Sequence, residues 1–296
     1  MLKLNLRQLR IFRSVSQEES MSQAAKKMHI TQPAISQTIS SLEKELSVKL
    51  FERLNRRLVL TNTGHILLDY STRILNLVEE TEQTIDDISN LAEGKLRIGA
   101  SMTIGTYLLP TIINEFQNQH PQLKIEFMID NTEVIEGMVL ENDIDLGLVE
   151  GPTPNDNIIR EDFFDDHLLL VSAANHPWAK KDKIKPHQLK NEAFIMREKG
   201  SGTREVIINT LAQGQLNCNI IHTLNNIEAI KKAVISNLGV SVLPEISIKE
   251  ELQDNQLTAV KIEGIEFKRK FNFIYHRDKY KSKLFLKFIN YIKEHS

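Results

Sequence analysis

From Thr63 to about Ala92 the chain carries Leu67, Ser71, Ile74, Val78, Thr81, Ile85 and Ile88 at alternating gaps of four and three. That rhythm keeps one narrow stripe on one side of a long helix, as in a coiled-coil seam. Most amphipathic helices pack on their own domain. A stripe this long and narrow, standing between two unlike segments, instead favours a second helix as partner and predicts a dimer. The helix cuts the chain into residues 1–62, 63–92 and 93–296, and 296 residues suffice for a small module and a large one, each with a core.

The first segment is helical in pattern. Leu6, Leu9, Ile11, Phe12 and Val15 fall largely on one side of a first helix. Ser20 to Gln23 supplies cap candidates for a second, in which Ala24 and Ala25 allow another helix to approach closely. A tight turn follows at Met28, His29 and Ile30. Thr31 then stands as an N-cap, with Pro33 in the first turn, where its missing N–H costs nothing, and Ile30 and Ile35 set as a hydrophobic staple. In this third helix Ile35, Ile39, Leu42 and Leu46 make the buried stripe, so Gln32, Ser36, Gln37 and Ser40 face outward. Short uncharged hydrogen-bonding side chains suit base edges and phosphates in a major groove. An ordinary polar surface is the plainer reading of that face, and the preceding tight turn argues against it. Beyond Leu50–Arg53, Asn55-Arg56-Arg57 leads into Leu58–Leu60, a hairpin with Arg53, Arg56 and Arg57 near its tip, set against phosphate or simply solvated.

Charge is more informative split than summed. Residues 1–62 hold 11 Lys and Arg against 5 Asp and Glu, a net +6, while the remainder holds 26 against 34, a net −8. The basic end points to a polyanionic partner, double-stranded DNA given the helices that carry it. Hydrophobic residues make up 41% and charged residues 26%, and no apolar run approaches the roughly 18 residues that span a bilayer. Met1 to Phe12, interrupted by Lys3, Arg7 and Arg10, offers no signal-peptide core. A cytoplasmic protein with no membrane contact is expected. Cys218 is the sole cysteine, so an internal disulfide and a cysteine-rich metal site are excluded.

After Gly94 the pattern changes to alternating strands and helices: strands at Leu96–Ala100, Lys124–Ile129, Asp145–Val149, His167–Ala173, Asn219–Leu224 and Val240–Leu243, and helices at Gly105–Gln117, Glu133–Glu141, Gly202–Ala212 and Ile227–Asn237. This predicts an α/β domain of two similar lobes on a largely parallel sheet, behind an all-α winged helix-turn-helix.

Leu9-Arg10-Ile11-Phe12, Ala24-Ala25, Thr31-Gln32-Pro33-Ala34-Ile35-Ser36, Leu42-Glu43, Leu50-Phe51-Glu52-Arg53 and Leu60-Thr61 together resemble the LysR-type transcriptional regulators, and the resemblance runs over essentially the whole chain. It implies that Gln32, Pro33, Ala34, Ser36 and Gln37 meet DNA, with Arg53, Arg56 and Arg57 in a wing. It also implies a dimer of dimers, a homotetramer, and leaves RNA polymerase open as a further partner. Glu19 and Ser47 depart from the family pattern, each standing where a glycine is common. Leu96–Ser101, Tyr107-Leu108-Leu109-Pro110 and Gly239–Pro244 are similar to the family's effector domain, a two-lobed fold of the type 2 periplasmic-binding kind. Lobe one is expected at about 94–160 and 268–296, lobe two at about 161–267.

In such folds ligands settle beyond the carboxyl ends of strands, where helix N-termini offer free N–H groups and positive dipole. Ser101, Met102 and Thr103 follow the first strand; Ser201, Gly202 and Thr203 open one helix, and Asn225 and Asn226 precede another. Glu150 and Gly151 end the third strand at the same mouth, and Arg197 adds charge from lobe two. Each has a plainer reading as cap or loop. Together they point to a small anionic effector, with no cofactor or metal. A transported-solute binding protein would need a signal peptide and would have no use for residues 1–92. For an enzyme the sequence lacks His-Glu-x-x-His, Gly-x-Ser-x-Gly and a P-loop. A DNA-binding architectural protein indifferent to metabolites is the closer alternative.

Overall fold

The computed structural model describes residues 4–54, 57–89 and 94–295, in two units whose boundary falls at Ser89. In the first unit α1 (Leu6–Glu18) opens with a capping box: Asn5 Oδ1 accepts from Gln8 N at 2.9 Å and Gln8 Oε1 accepts from Asn5 N at 3.0 Å. Ser20 caps α2 (Met21–Lys27). Thr31 occupies the N-cap of α3 (Gln32–Leu46) but its side chain makes no capping bond, so Pro33 in the first turn and the packing of Ile30 and Ile35 into one core define that start. Phe12, Val15, Ala24, Ile35, Ile39 and Leu42 fill the space between the three helices.

Strand β1 (Phe51–Leu54) pairs antiparallel with β2 (Arg57–Leu60). The buried Glu43 of α3 fixes this hairpin by accepting from Leu50 N at 2.9 Å and Phe51 N at 3.3 Å, with Lys49 Nζ 2.5 Å away. Burial pushes its carboxyl up, but Lys49 and the two amides outweigh that and hold it below the usual range.

Helix α4 (Asn62–Ser89) follows; the side chain of Ile88 and the stretch to Ala92 lie outside the described residues. Here the expected seam needs correcting. Helix α1 packs along α4, Arg13 of α1 pairs with Glu79 at 3.8 Å, and the face carrying Ser71 and Leu75 is buried. Leu67 packs into the same helical core. The outward apolar stripe is instead Ile66, Tyr70, Ile74, Leu77 and Ile85, from 39% to 64% exposed. Ile74 and Ile85 of the expected seam stay outward, while Leu67 and Ser71 turn inward, and the docking of α1 decides which side of the helix is covered.

The second unit runs β3 (Lys95–Ser101), α5 (Met102–Tyr107), α6 (Leu109–Gln119), β4 (Lys124–Asp130), α7 (Thr132–Leu140), β5 (Leu146–Glu150), β6 (Ile158–Ala173), β7 (Lys183–Ile184), β8 (Ala193–Arg197), α8 (Gly202–Gln213), β9 (Asn219–Leu224), α9 (Ile227–Ile235), β10 (Ser241–Pro244), α10 (Lys249–Gln253), β11 (Leu257–Ile262), β12 (Phe267–His276) and α11 (Lys283–His295). The single helix expected over Gly105–Gln117 is two, because Pro110 starts a new helix at α6. The sheet is mixed rather than largely parallel. β3 pairs parallel with β4 and β5, but β12 runs antiparallel to β5 and β6. The long strand β6 begins at Ile158, nine residues before the expected His167. β6 and β12 lie side by side from Ile158↔His276 to Leu168↔Phe267 and thread both lobes. One core gathers Leu96, Phe116, Phe273 and Phe285; another gathers Leu170, Phe194, Ile207 and Val242.

Candidate functional site

The ends of β3 and β5 and the start of α8 converge. Gly202, first residue of α8, sits against Glu150 and Gly151: a Cβ on Gly202 would lie 1.8 Å from the Glu150 carbonyl oxygen, and one on Gly151 2.9 Å from Gly202 Cα. Gly151 also holds φ +93°, a left-handed conformation that favours glycine. Glu133 N donates to Gly200 O at 3.1 Å. Thr132 Oγ1 accepts from Gly202 N at 3.2 Å and donates to Glu150 O at 3.3 Å. Backbone thus meets backbone between the two halves, and neither Gly151 nor Gly202 brings a side chain to the contact.

Inside this contact lies a buried polar cluster. The Glu150 carboxylate accepts from the hydroxyls of Ser101, Thr103 (3.3 Å) and Thr203 (3.2 Å), and Arg269 Nη1 stands 3.3 Å from it. Arg269 donates through Nε to Asp166 at 2.6 Å, through Nη1 to Thr203 at 2.7 Å and through Nη2 to Thr103 at 3.3 Å. Ser101, Thr103, Glu150, Asp166, Thr203 and Arg269 are all at least nine-tenths buried. Burial raises the Asp166 carboxyl above its ordinary value despite the guanidinium beside it. One cation therefore faces two carboxylates, and an incoming anion would find no surplus positive charge.

Of the expected effector residues, Ser101, Thr103, Glu150, Gly151, Gly202 and Thr203 come together at this contact. Ser101 occupies the N-cap of α5 without capping it; its hydroxyl goes to Glu150. Ser201 is the N-cap of α8, accepting from Arg204 N at 3.4 Å. Met102 is half-buried beside the apolar Ile227, Leu243 and Ile248. Asn226 caps α9, accepting from Ala229 N at 3.2 Å, and both it and Asn225 are exposed. Arg197 stands apart from these bonds: it forms a two-pronged pair with Glu198 at 2.7 and 2.8 Å, and its buried Nη1 has no partner among the described residues. The cation in the cluster is Arg269, which sequence reasoning missed along with Asp166 and Thr132. Its signal was present. Phe267, Arg269 and Phe271 alternate with exposed Lys268 and Lys270, and Asp166 lies directly opposite Arg269 across the strands, between Phe164 and Leu168 on the same face.

In the first unit Gln32, Pro33, Gln37 and Ser40 are exposed along one side of α3, with Ala34 and Ser36 half-exposed. Arg53 is exposed on β1. Arg56 lies outside the described residues, as does the side chain of Arg57.

Residues 6–65 match the bacterial regulatory helix-turn-helix proteins of the lysR family, and residues 89–296 match the LysR substrate binding domain. A probable RuBisCO transcriptional regulator of Phaeodactylum tricornutum is 36% identical over 300 residues, covering 99% of this chain and 98% of its own. The regulatory domain of CcmR from Synechocystis, solved in complex with 2-PG, is 30% identical, with a TM-score of 0.64 over 68% of this chain and 97% of that one. Full-length CbnR, solved with its target DNA, shares the fold at 19% identity, a TM-score of 0.68 and coverage of 99% and 100%. These are regulators and not enzymes, and no described helix is long and apolar enough to cross a membrane. The chain belongs to the LysR family of transcriptional regulators, a helix-turn-helix DNA-binding domain joined to an effector-binding domain.

Proposed function

We propose that residues 1–62 read promoter DNA, residues 63–92 dimerise the chain, and residues 93–296 sense a small anionic metabolite held between two lobes, about 94–160 with 268–296 and about 161–267. Gln32, Pro33, Ala34, Ser36, Gln37 and Ser40 enter the major groove while Arg53, Arg56 and Arg57 follow phosphate or the minor groove. The effector is held by Ser101, Met102, Thr103, Gly151, Ser201, Gly202 and Thr203, with Glu150 and Arg269 setting the charge, Arg197 offering its unpartnered Nη1, and Asn225 and Asn226 at the rim. The observation that carries this reading is that hydroxyls from β3, α5 and α8 and the Arg269 guanidinium already hold a carboxylate, that of Glu150.

The apolar stripe Ile66, Tyr70, Ile74, Leu77 and Ile85 supports dimerisation through α4. Exposed Phe127, Met128 and Ile129 on the edge strand β4, and Ile221 on the edge strand β9, support pairing of effector domains into a tetramer. The protein works in the cytoplasm, where RNA polymerase is a further partner. Effector binding shifts the population of lobe arrangements, and with it the spacing of DNA-binding dimers on the promoter. Footprints of the full chain on its promoter, with and without a small anion shown to bind, test this: the footprint changes in extent on ligand binding, and an unchanged footprint refutes the coupling.

A further inference from the structure

We propose that the Glu150 carboxylate is a tethered anion that latches the two lobes and competes with the effector for the same donors. This rests on the reading that a small anion binds between the lobes. Ser101 and Thr103 reach Glu150 from β3 and α5, Thr203 from α8, and Arg269 from the crossing strand β12. The donors an anion needs in order to bridge the lobes are therefore already bonded to a carboxylate of the chain itself.

Charge makes this arrangement exclusive. Arg269 is shared by Glu150 and Asp166, both buried. A further anion placed beside them would set like charges within hydrogen-bonding distance and out of water, a strongly unfavourable arrangement. If Glu150 leaves as the effector arrives, the charge of the cluster changes only by the difference between the two anions. Its main chain is pinned by Gly202 and Thr132, so it is the side chain that must give up these donors when the effector arrives. Effector binding is thus an exchange of one anion for another, and the apparent affinity falls by the fraction of time the site is open to the effector. With Glu150 docked about nine-tenths of the time, removing its charge tightens binding about tenfold.

The test uses the full chain, wild type, Glu150→Gln and Glu150→Asp, with two readouts. Amide hydrogen exchange without ligand reports the latch: in Glu150→Gln the Glu133 and Gly202 amides, which bridge the lobes, exchange faster, and unchanged exchange overturns the latch whatever else binds. Calorimetric titration with inorganic phosphate and with 2-PG reports the competition. Glu150→Gln binds the probe about tenfold tighter than wild type, and Glu150→Asp, whose shorter carboxylate reaches the donors less well, falls between. Equal or weaker binding by Glu150→Gln overturns the competition. If no variant binds phosphate or 2-PG, the competition for these anions is overturned together with the reading that they are effectors, while hydrogen exchange still decides the latch.

Discussion

Gly202→Ala adds one methyl group where the lobes touch. The new Cβ would lie 1.8 Å from the Glu150 carbonyl oxygen and 2.8 Å from Thr132 Oγ1, and a backbone oxygen cannot rotate away as a side chain can. The lobes must part or α8 must shift. Overpacking of this kind costs about 1–3 kcal/mol. The Gly202–Thr132 and Glu133–Gly200 hydrogen bonds that stretch with it are worth about 0.5–1.5 kcal/mol each. A total near 3 kcal/mol against the closed arrangement corresponds to about a hundredfold in binding. Gly202 opens α8 and does not sit in its interior, so the helix itself neither requires glycine there nor gains the interior preference for alanine, and the clash is the dominant effect. The fold should survive while effector affinity falls about a hundredfold in calorimetric titration. The control is Gly137→Ala in α7, whose added Cβ meets nothing within 4 Å; it leaves affinity unchanged and raises the melting temperature slightly. Wild-type affinity in Gly202→Ala would refute the claim that binding needs this close backbone contact.

Glu19 and Ser47 hold φ of +47° and +55° at the ends of α1 and α3, so Glu19→Gly and Ser47→Gly should each stabilise the DNA-binding unit by up to about 1 kcal/mol in chemical denaturation, and a loss would contradict the strain. The Glu136 carboxyl of α7 is pushed up to about 7, mainly by burial and further by nearby Glu133, with Thr153 and then Arg160 opposing. Because the folded state holds that proton more tightly than the unfolded chain, stability falls as pH rises from about 4.5 to about 7, and Glu136→Gln should flatten that decline in a pH series of melts. Gln37→Ala should weaken specific DNA by about 1–3 kcal/mol and barely affect random sequence in binding titrations; equal losses on both would show a phosphate contact instead of base reading.

The helix-turn-helix was legible because its signals are local: Pro33 in a first turn and Ile35, Ile39 and Leu42 on one stripe fix α3 whatever surrounds it. The meeting of Ser101, Glu150 and Thr203 was legible in part for the same reason, since each stands at a strand or helix end in the sequence. What escaped depends on partners far along the chain. Arg269 and Asp166 are 103 residues apart and meet only because β6 and β12 cross both lobes in register. The seam of α4 was read only in part for a similar reason: Ile74 and Ile85 do face outward, but the covering of Leu67 and Ser71 is decided by α1, far earlier in the chain. Arg197 pairs with Glu198, its immediate neighbour, and the cation that reaches Glu150 is Arg269.

The central claim is that a small anion bound at Ser101 and Thr203 holds the effector domain together. Thermal melting of the full chain against a panel of small anions, including sulfur compounds, phosphorylated metabolites and organic acids, tests it most directly, run beside the Ser101→Ala/Thr203→Ala double variant. At about 100 times its dissociation constant a ligand adds roughly 2.7 kcal/mol of stability, which for a domain of this size is a rise of several degrees. A selective rise in wild type that is lost in the double variant is the predicted result. No rise across the panel, or an equal rise in both proteins, would contradict it.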